Sequence, residues 1–339
     1  MEELLIYSLL LVPVVAANVS ERHRTRPYTS QDPRTQALLD GALRSLPYAL
    51  LIVANLVLLG FMGLVLLNAL MRALMPELVA PEALTVNWLV VSVALLLTAI
   101  LAFLPLLSGV RHWLARWLPI DPDSMVHMTA LVFAIYQIGL SLGQIALIGG
   151  PQTLIQSEMA LTVWDVILSG VPLALLALAG VGLLIRRDGR SALERLGLRG
   201  LTVKQLLLAA GVTAFLLGLD FLVNWAWQVA DPTSFDLLQE VSDNLFGGLA
   251  TVGGALAIGL SAGISEELLF RGAVQPRLGL LLTATLFAIG HLQHGLSIAT
   301  LEVFVIGLAL GLVRKRTHTT VCILIHAAYN TLGMLLGMG

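Results

Sequence analysis

The chain has 339 residues, 58% of them hydrophobic and 12% charged, with a mean hydropathy of +0.90. Globular domains carry about 25% charged residues, so this composition excludes an ordinary soluble domain and indicates an all-α, polytopic integral membrane bundle. A net charge of −2 hides where the 19 basic residues fall, and the single cysteine, Cys322, excludes an internal disulfide or a cysteine-rich metal site.

A hydrocarbon core of about 30 Å needs about 20 apolar residues per helix. Ten spans are predicted: Leu4–Val19, Leu46–Leu70, Trp88–Val110, Val126–Ile148, Leu161–Ile185, Leu206–Val223, Gly247–Phe270, Leu278–His291, Ile298–Val313 and Thr320–Met338. The first resembles a secretory signal, with an apolar run before Ala16 and Ala17. Its charges are inverted, however: Glu2 and Glu3 precede it, and Arg22, Arg24 and Arg26 follow. That pattern favours a retained anchor with its N-terminus outside. With ten spans, every basic residue except Arg72 falls on an inner loop, as the positive-inside rule requires. Both termini are then outside a membrane of the cytoplasmic type. Residues 1–185 read as N-terminal transmembrane helices of unassigned role, 186–204 as a cytoplasmic linker with an amphipathic turn at Ala192–Leu198, and 205–339 as a C-terminal transmembrane core. Asp231–Asn244 reads as an acidic outer loop.

Glu266, Glu267, His291 and His326 lie in stretches apolar enough to cross a bilayer, where ionisable groups are costly and mark function by default. Span seven ends in Ser265-Glu266-Glu267-Leu268-Leu269-Phe270-Arg271-Gly272. On a helix Glu267 and Arg271, four apart, meet on one face, while Glu266 points about 100° away. Span eight places Phe287 and His291 on one face, and span ten does the same for His326 and Asn330. The competing reading is structural: a helix end reaching water, with histidines as interhelical hydrogen-bond partners.

The ordered set E-E-x-x-x-R, F-x-x-x-H and H-x-x-x-N on closely following membrane helices resembles the CPBP family. These are the CAAX-protease and bacteriocin-processing (Abi) intramembrane proteases. The match runs from Glu266 to Asn330, and spans one to five lie outside it. The resemblance implies that Glu266 and His291 prepare a water for peptide hydrolysis. It implies that His326 and Asn330 hold the oxyanion, with Glu267, Arg271 and Phe287 in support. Hydrolysis needs such a base and such donors. Glu266, His291 and His326 would also serve as a zinc set with one position open for water. H-E-x-x-H is absent, and a metal-free glutamate mechanism is the other alternative.

Straight counting places Glu266 near the inner surface and His291 about 20 Å along span eight. The two meet only if Arg271–Arg277 dips into the protein, which Pro276 permits. His294 could line the outer mouth, and His127 belongs at the interface. Asp220 with Asn224, and likewise Asp165, read as helix-pairing residues, and Glu302 caps or lines span nine. Gly253, Gly254, Gly259 and Gly263 predict close packing on span seven. Trp88, Trp225 and Trp227, and Trp113 and Trp117 at the other side, read as interfacial anchors.

The expected partners are the lipid bilayer and a membrane-associated protein or peptide substrate, with no nucleic acid and no oligomeric state specified. Two other readings stay open: a proton-coupled transporter, which would carry paired repeats, and a non-hydrolytic immunity or scaffold member of the same family. No such repeat is found.

Overall fold

The computed structural model describes residues 2–75, 88–148, 155, 160–292, 295 and 297–337. Among these the fold is all-helical, and the only bridge of β type is the isolated pair Leu183 and Arg187. Two compact units divide the chain: Met1–Gly149 with Leu178–Ala192, and Gly150–Ala177 with Leu193–Gly339.

The first unit holds α1 (Glu2–Thr25), α2 (Pro33–Leu74), α3 (Trp88–Phe103), the short α4 (Ser108–Leu114) and α5 (Met125–Ile148). Asp32 caps α2 just before Pro33, where the missing proline N–H costs nothing. Helices α1, α2, α3 and α5 pack together around Leu51, Ala102, Met128 and Val132. Polar groups inside are partnered. The Asn55 side chain accepts from the Tyr136 hydroxyl, and Glu21 on α1 accepts from Ser124 Oγ at 3.0 Å at the start of α5. Arg111, assigned by sequence to an inner loop, is buried and donates to the carbonyls of Pro105, Leu106 and Pro122. His127 Nδ1 accepts from the Asp121 amide at 2.7 Å.

α6 (Val163–Val181) and α7 (Gly189–Leu196) each contribute to both units. The second unit continues with α8 (Val203–Ala230), α9 (Pro232–Phe246), α10 (Val252–Glu267), α11 (Gln275–Ile289), α12 (Ile298–Arg316) and α13 (Thr319–Leu335). Thr202 and Gln205 form a reciprocal capping box that starts α8. The expected outer loop at Asp231–Asn244 is instead helix α9: Asp231 caps it and Pro232 follows at the first turn. Asp165 accepts from the Thr162 amide and hydroxyl at the start of α6.

Among the described residues six helices are long and apolar enough to cross a membrane, against the ten spans expected: Pro33–Leu74, Trp88–Leu106, Met125–Ala146, Val163–Val181, Val203–Ala230 and Val252–Ile289. Thr319–Leu335 is apolar but shorter. Their outward faces carry large apolar side chains such as Leu56, Leu64, Phe215 and Phe221, a surface too apolar for water to favour.

The last of those six corrects the expected boundary between spans seven and eight. Residues 268–274 are a π-helix rather than the start of an inner loop, and Arg271 and Arg277 are buried. Helical structure continues through α11 with a break at Gly279, where φ is 81° and ψ is 174°. Only glycine adopts that conformation without steric cost. Three arginines satisfy the carbonyls that the wide π turns present: Arg314 to Arg271, Arg195 to Gly272 and Arg277 to Ala273, at 3.2, 3.3 and 2.6 Å.

Close packing on α10 is real at two of the four predicted glycines. A Cβ at Gly259 would lie 2.5 Å from the Ala327 carbonyl oxygen, and one at Gly263 2.8 Å from the Ala327 amide nitrogen. These absences let α10 and α13 approach backbone to backbone. Gly254 faces the Leu249 carbonyl instead, and Gly253 faces open space.

Candidate active site

Glu266 and Glu267 end α10, where the π-helix begins. A continuous α-helix from Glu266 to His291 would hold them about 37 Å apart. In the fold, Glu266 Oε2 lies 3.6 Å from His291 Nε2. The chain therefore doubles back, and Gly279, about midway between the two residues, supplies the reversal. This resolves the distance that straight counting leaves between them.

His291 is oriented by its own helix. Its Nδ1 donates to the Phe287 carbonyl at 2.8 Å, so the neutral ring presents Nε2 as an acceptor towards Glu266. The separation from Glu266 is too long for a direct hydrogen bond, and Glu266 Oε2 is buried without a partner.

Glu267 is fully buried and makes two contacts. Its Oε1 accepts from His326 Nδ1 at 2.9 Å, and its Oε2 lies 3.2 Å from Arg271 Nε. The spacing of four residues does bring Glu267 and Arg271 together. The bond to His326 commits Nδ1 and leaves Nε2 for the cavity side. Arg271 also donates to the Gly307 carbonyl at 3.1 Å.

Phe287 stands at the centre. Its ring is 4.3 Å from the Arg271 guanidinium carbon, and its centroid is 4.8 Å from that of His291 and 5.8 Å from that of His326. Phe270 meets it edge-on at 5.3 Å. A buried guanidinium over an aromatic face gains from the ring quadrupole. The phenyl ring thereby spaces the two imidazoles.

A cavity of about 310 Å³ opens beside these groups. Phe287, His291, His326 and Asn330 line it; Glu266 touches His291 without lining it. Asp220 and Asn224, which the sequence assigns to helix pairing, and Glu302, which it assigns to capping or lining span nine, also line it, as does Tyr329. The available signal was two acidic residues deep in separate apolar spans. Trp227, read as an interfacial anchor, is buried in the same wall and donates from Nε1 to Ser234 Oγ at 2.8 Å. Trp113, Trp117 and Trp225 are exposed. His294 lies outside the described residues.

The zinc set of Glu266, His291 and His326 is not assembled. Among the described residues no three His, Cys, Asp or Glu side chains converge to hold a metal ion.

The fold and these groups define a multi-pass membrane protein with carboxylates and imidazoles gathered from distant positions at one cavity. Residues 248–332 match the family model described as type II CAAX prenyl endopeptidase Rce1-like, consistent with the CPBP resemblance of the motifs. The matched segment is about a quarter of the chain and contains every motif residue from Glu266 to Asn330. Comparison with curated proteins and with solved structures gives no match.

Proposed function

We propose that the chain is an intramembrane endopeptidase that hydrolyses a peptide bond of a membrane-associated protein or peptide, of the CAAX-protease type. The observation that carries this is the approach of Glu266 Oε2 to His291 Nε2 within 3.6 Å. Both atoms are acceptors when Glu266 is ionised and His291 neutral, and both can reach one oxygen at about 2.8 Å. A water held there has its two protons engaged and its lone pairs turned outward. Glu266 takes one proton as the oxygen attacks the peptide carbonyl, and the carboxyl returns it to the leaving amine.

The oxyanion needs donors already in place. As an imidazolium, with its Nδ1–H bonded to the Glu267 carboxylate, His326 would donate from Nε2–H at the cavity wall. Asn330, one turn further along α13, supplies a second N–H through its amide. Glu267, Arg271 and Phe287 hold these groups in place. The reading also treats 205–339 as the catalytic core, 186–204 as a cytoplasmic linker and 1–185 as accessory helices. The basic residues support ten spans with both termini outside a cell membrane.

The test uses purified full-length protein and the proteome of cells expressing it. Wild type should cleave a precursor that accumulates uncut when Glu266→Ala replaces it. Equal cleavage by Glu266→Ala and wild type rejects the assignment. A prenylated C-terminal CAAX peptide, taken from the name of the matching family, is the first defined substrate to try.

A further inference from the structure

Gly307, buried near the middle of α12, belongs to none of the three motifs, yet it meets two of the groups that build the site. Its carbonyl accepts from Arg271 Nη2 at 3.1 Å, which ties α12 to the guanidinium beside Glu267. Its Cα faces Phe287. A Cβ there would stand 3.2 Å from Phe287 Cδ1 and 3.4 Å from the Cα and the carbonyl oxygen of Ala284. Carbon atoms rest at about 3.5–4.0 Å, so the ring would have to give by a few tenths of an ångström. It has little room to do so. The Arg271 guanidinium carbon lies 4.3 Å from its centroid, Phe270 meets it edge-on at 5.3 Å, and the imidazoles of His291 and His326 stand at 4.8 and 5.8 Å. Moving the ring away from α12 therefore moves an imidazole or the guanidinium. Glycine weakens a helix interior relative to alanine, so stability and placement make opposite demands at this position.

We propose that Gly307 is a positioning residue for the hydrolysis: by leaving room for the Phe287 ring against α12, it sets where His291 and His326 stand about that ring. The role rests on the proteolytic reading for the reaction it serves, whereas the seating of the ring is a matter of packing alone. His291 faces the water beside Glu266 and His326 faces the oxyanion, so both imidazoles must hold one geometry while the peptide carbon becomes tetrahedral. A misplacement of about 1 Å can cost about 10²-fold in rate, and a few tenths should cost about tenfold. The loss should fall on kcat rather than KM, because Gly307 itself does not line the cavity.

The experiment compares full-length wild type, Gly307→Ala, Phe287→Leu and the double variant in detergent, each carrying isotope-labelled histidine. Turnover is followed on the prenylated CAAX peptide. Gly307→Ala should lower kcat about tenfold at nearly constant KM, with a melting temperature no lower than wild type because alanine favours the helix. In the Phe287→Leu background the ring is gone, and Gly307→Ala should lower kcat no further; such non-additivity marks a direct contact. The ring-proton resonances of His291 and His326, assigned by replacing each in turn, should move in Gly307→Ala because both sit beside the Phe287 ring. That of His318, about two turns away from His326 on α13, should stay. If Phe287→Leu has no turnover of its own, the resonances decide alone. An equal fall in kcat with and without the ring, a loss carried by KM, a melting temperature that falls along with kcat, or unmoved His291 and His326 resonances overturns the proposal. The resonances need no substrate, so the two readings separate. Moved resonances in a protein that cleaves nothing remove the proteolytic reading and keep the seating of the ring, whereas cleavage that Gly307→Ala leaves unchanged removes the role of Gly307 alone.

Discussion

His326 Nδ1 donates to Glu267 Oε1 at 2.9 Å, joining two residues 59 positions apart in the chain, while the other oxygen of that carboxylate stands 3.2 Å from Arg271 Nε. One buried carboxylate thus fixes an imidazole and balances a guanidinium. Glu267→Ala should leave Arg271 buried without its counter-charge, at about 3–5 kcal/mol of stability. The milder Glu267→Gln should keep more of the fold yet lose activity, because an amide places no negative charge beside His326 and Arg271. Thermal unfolding in detergent and single-turnover cleavage separate the two effects.

Asn330 lines the cavity one helical turn from His326. If its amide holds the oxyanion, Asn330→Ala should lower kcat by about 10²–10³ with little change in KM. A loss carried entirely by KM would assign Asn330 to ground-state binding. Steady-state kinetics on one defined peptide decides between them.

Gly259 and Gly263 set the distance between the helices that carry Glu267 and His326. Gly259→Ala places a Cβ 2.1 Å from Thr331 Oγ1 and 2.5 Å from the Ala327 carbonyl oxygen. Forcing backbones apart should cost about 1–3 kcal/mol and reduce activity as the Glu267–His326 bond stretches. Gly253→Ala on the same helix meets nothing within 4 Å, so its melting temperature and activity should match wild type.

Membrane topology can be read by labelling. In a Cys322→Ala background, a cysteine replacing Arg190 should react with a membrane-impermeant thiol reagent only from the cytoplasmic side. One replacing Asp236 on α9 should react only from the opposite side. Labelling of both from the same side would break the ten-span arrangement.

Much of this was readable before any coordinates. The apolar runs marked an all-helical membrane protein, although six described helices, against ten expected spans, are long and apolar enough to cross, and the spacing of Glu267 and Arg271 gave their contact. What could not be read was how span seven turns into span eight. Sequence put an inner loop at Arg271–Arg277, because charged residues ordinarily mark a membrane boundary. Here the arginines are buried against backbone carbonyls, and the reversal waits for Gly279. The α9 helix had a legible start in Asp231 and Pro232, but its acidic composition pointed to a loop. Asp220 had a plausible partner on paper in Asn224, and Glu302 a place capping or lining span nine; that they line one cavity depends on how α8, α12 and α13 pack, which no local pattern encodes.

The arginines over the π-helix carry a consequence for how the protein enters its membrane. Arg195, Arg271, Arg277 and Arg314 are among the positive charges that would keep their segments from being translocated, and the same side chains later close the hydrogen bonding of the site. In the proposed ten-span arrangement, insertion signal and architecture share these four residues. Lysine at any of these positions would preserve the orienting charge during biogenesis while losing the planar fork that reaches the carbonyls. Such variants should insert the right way round and still fail to assemble.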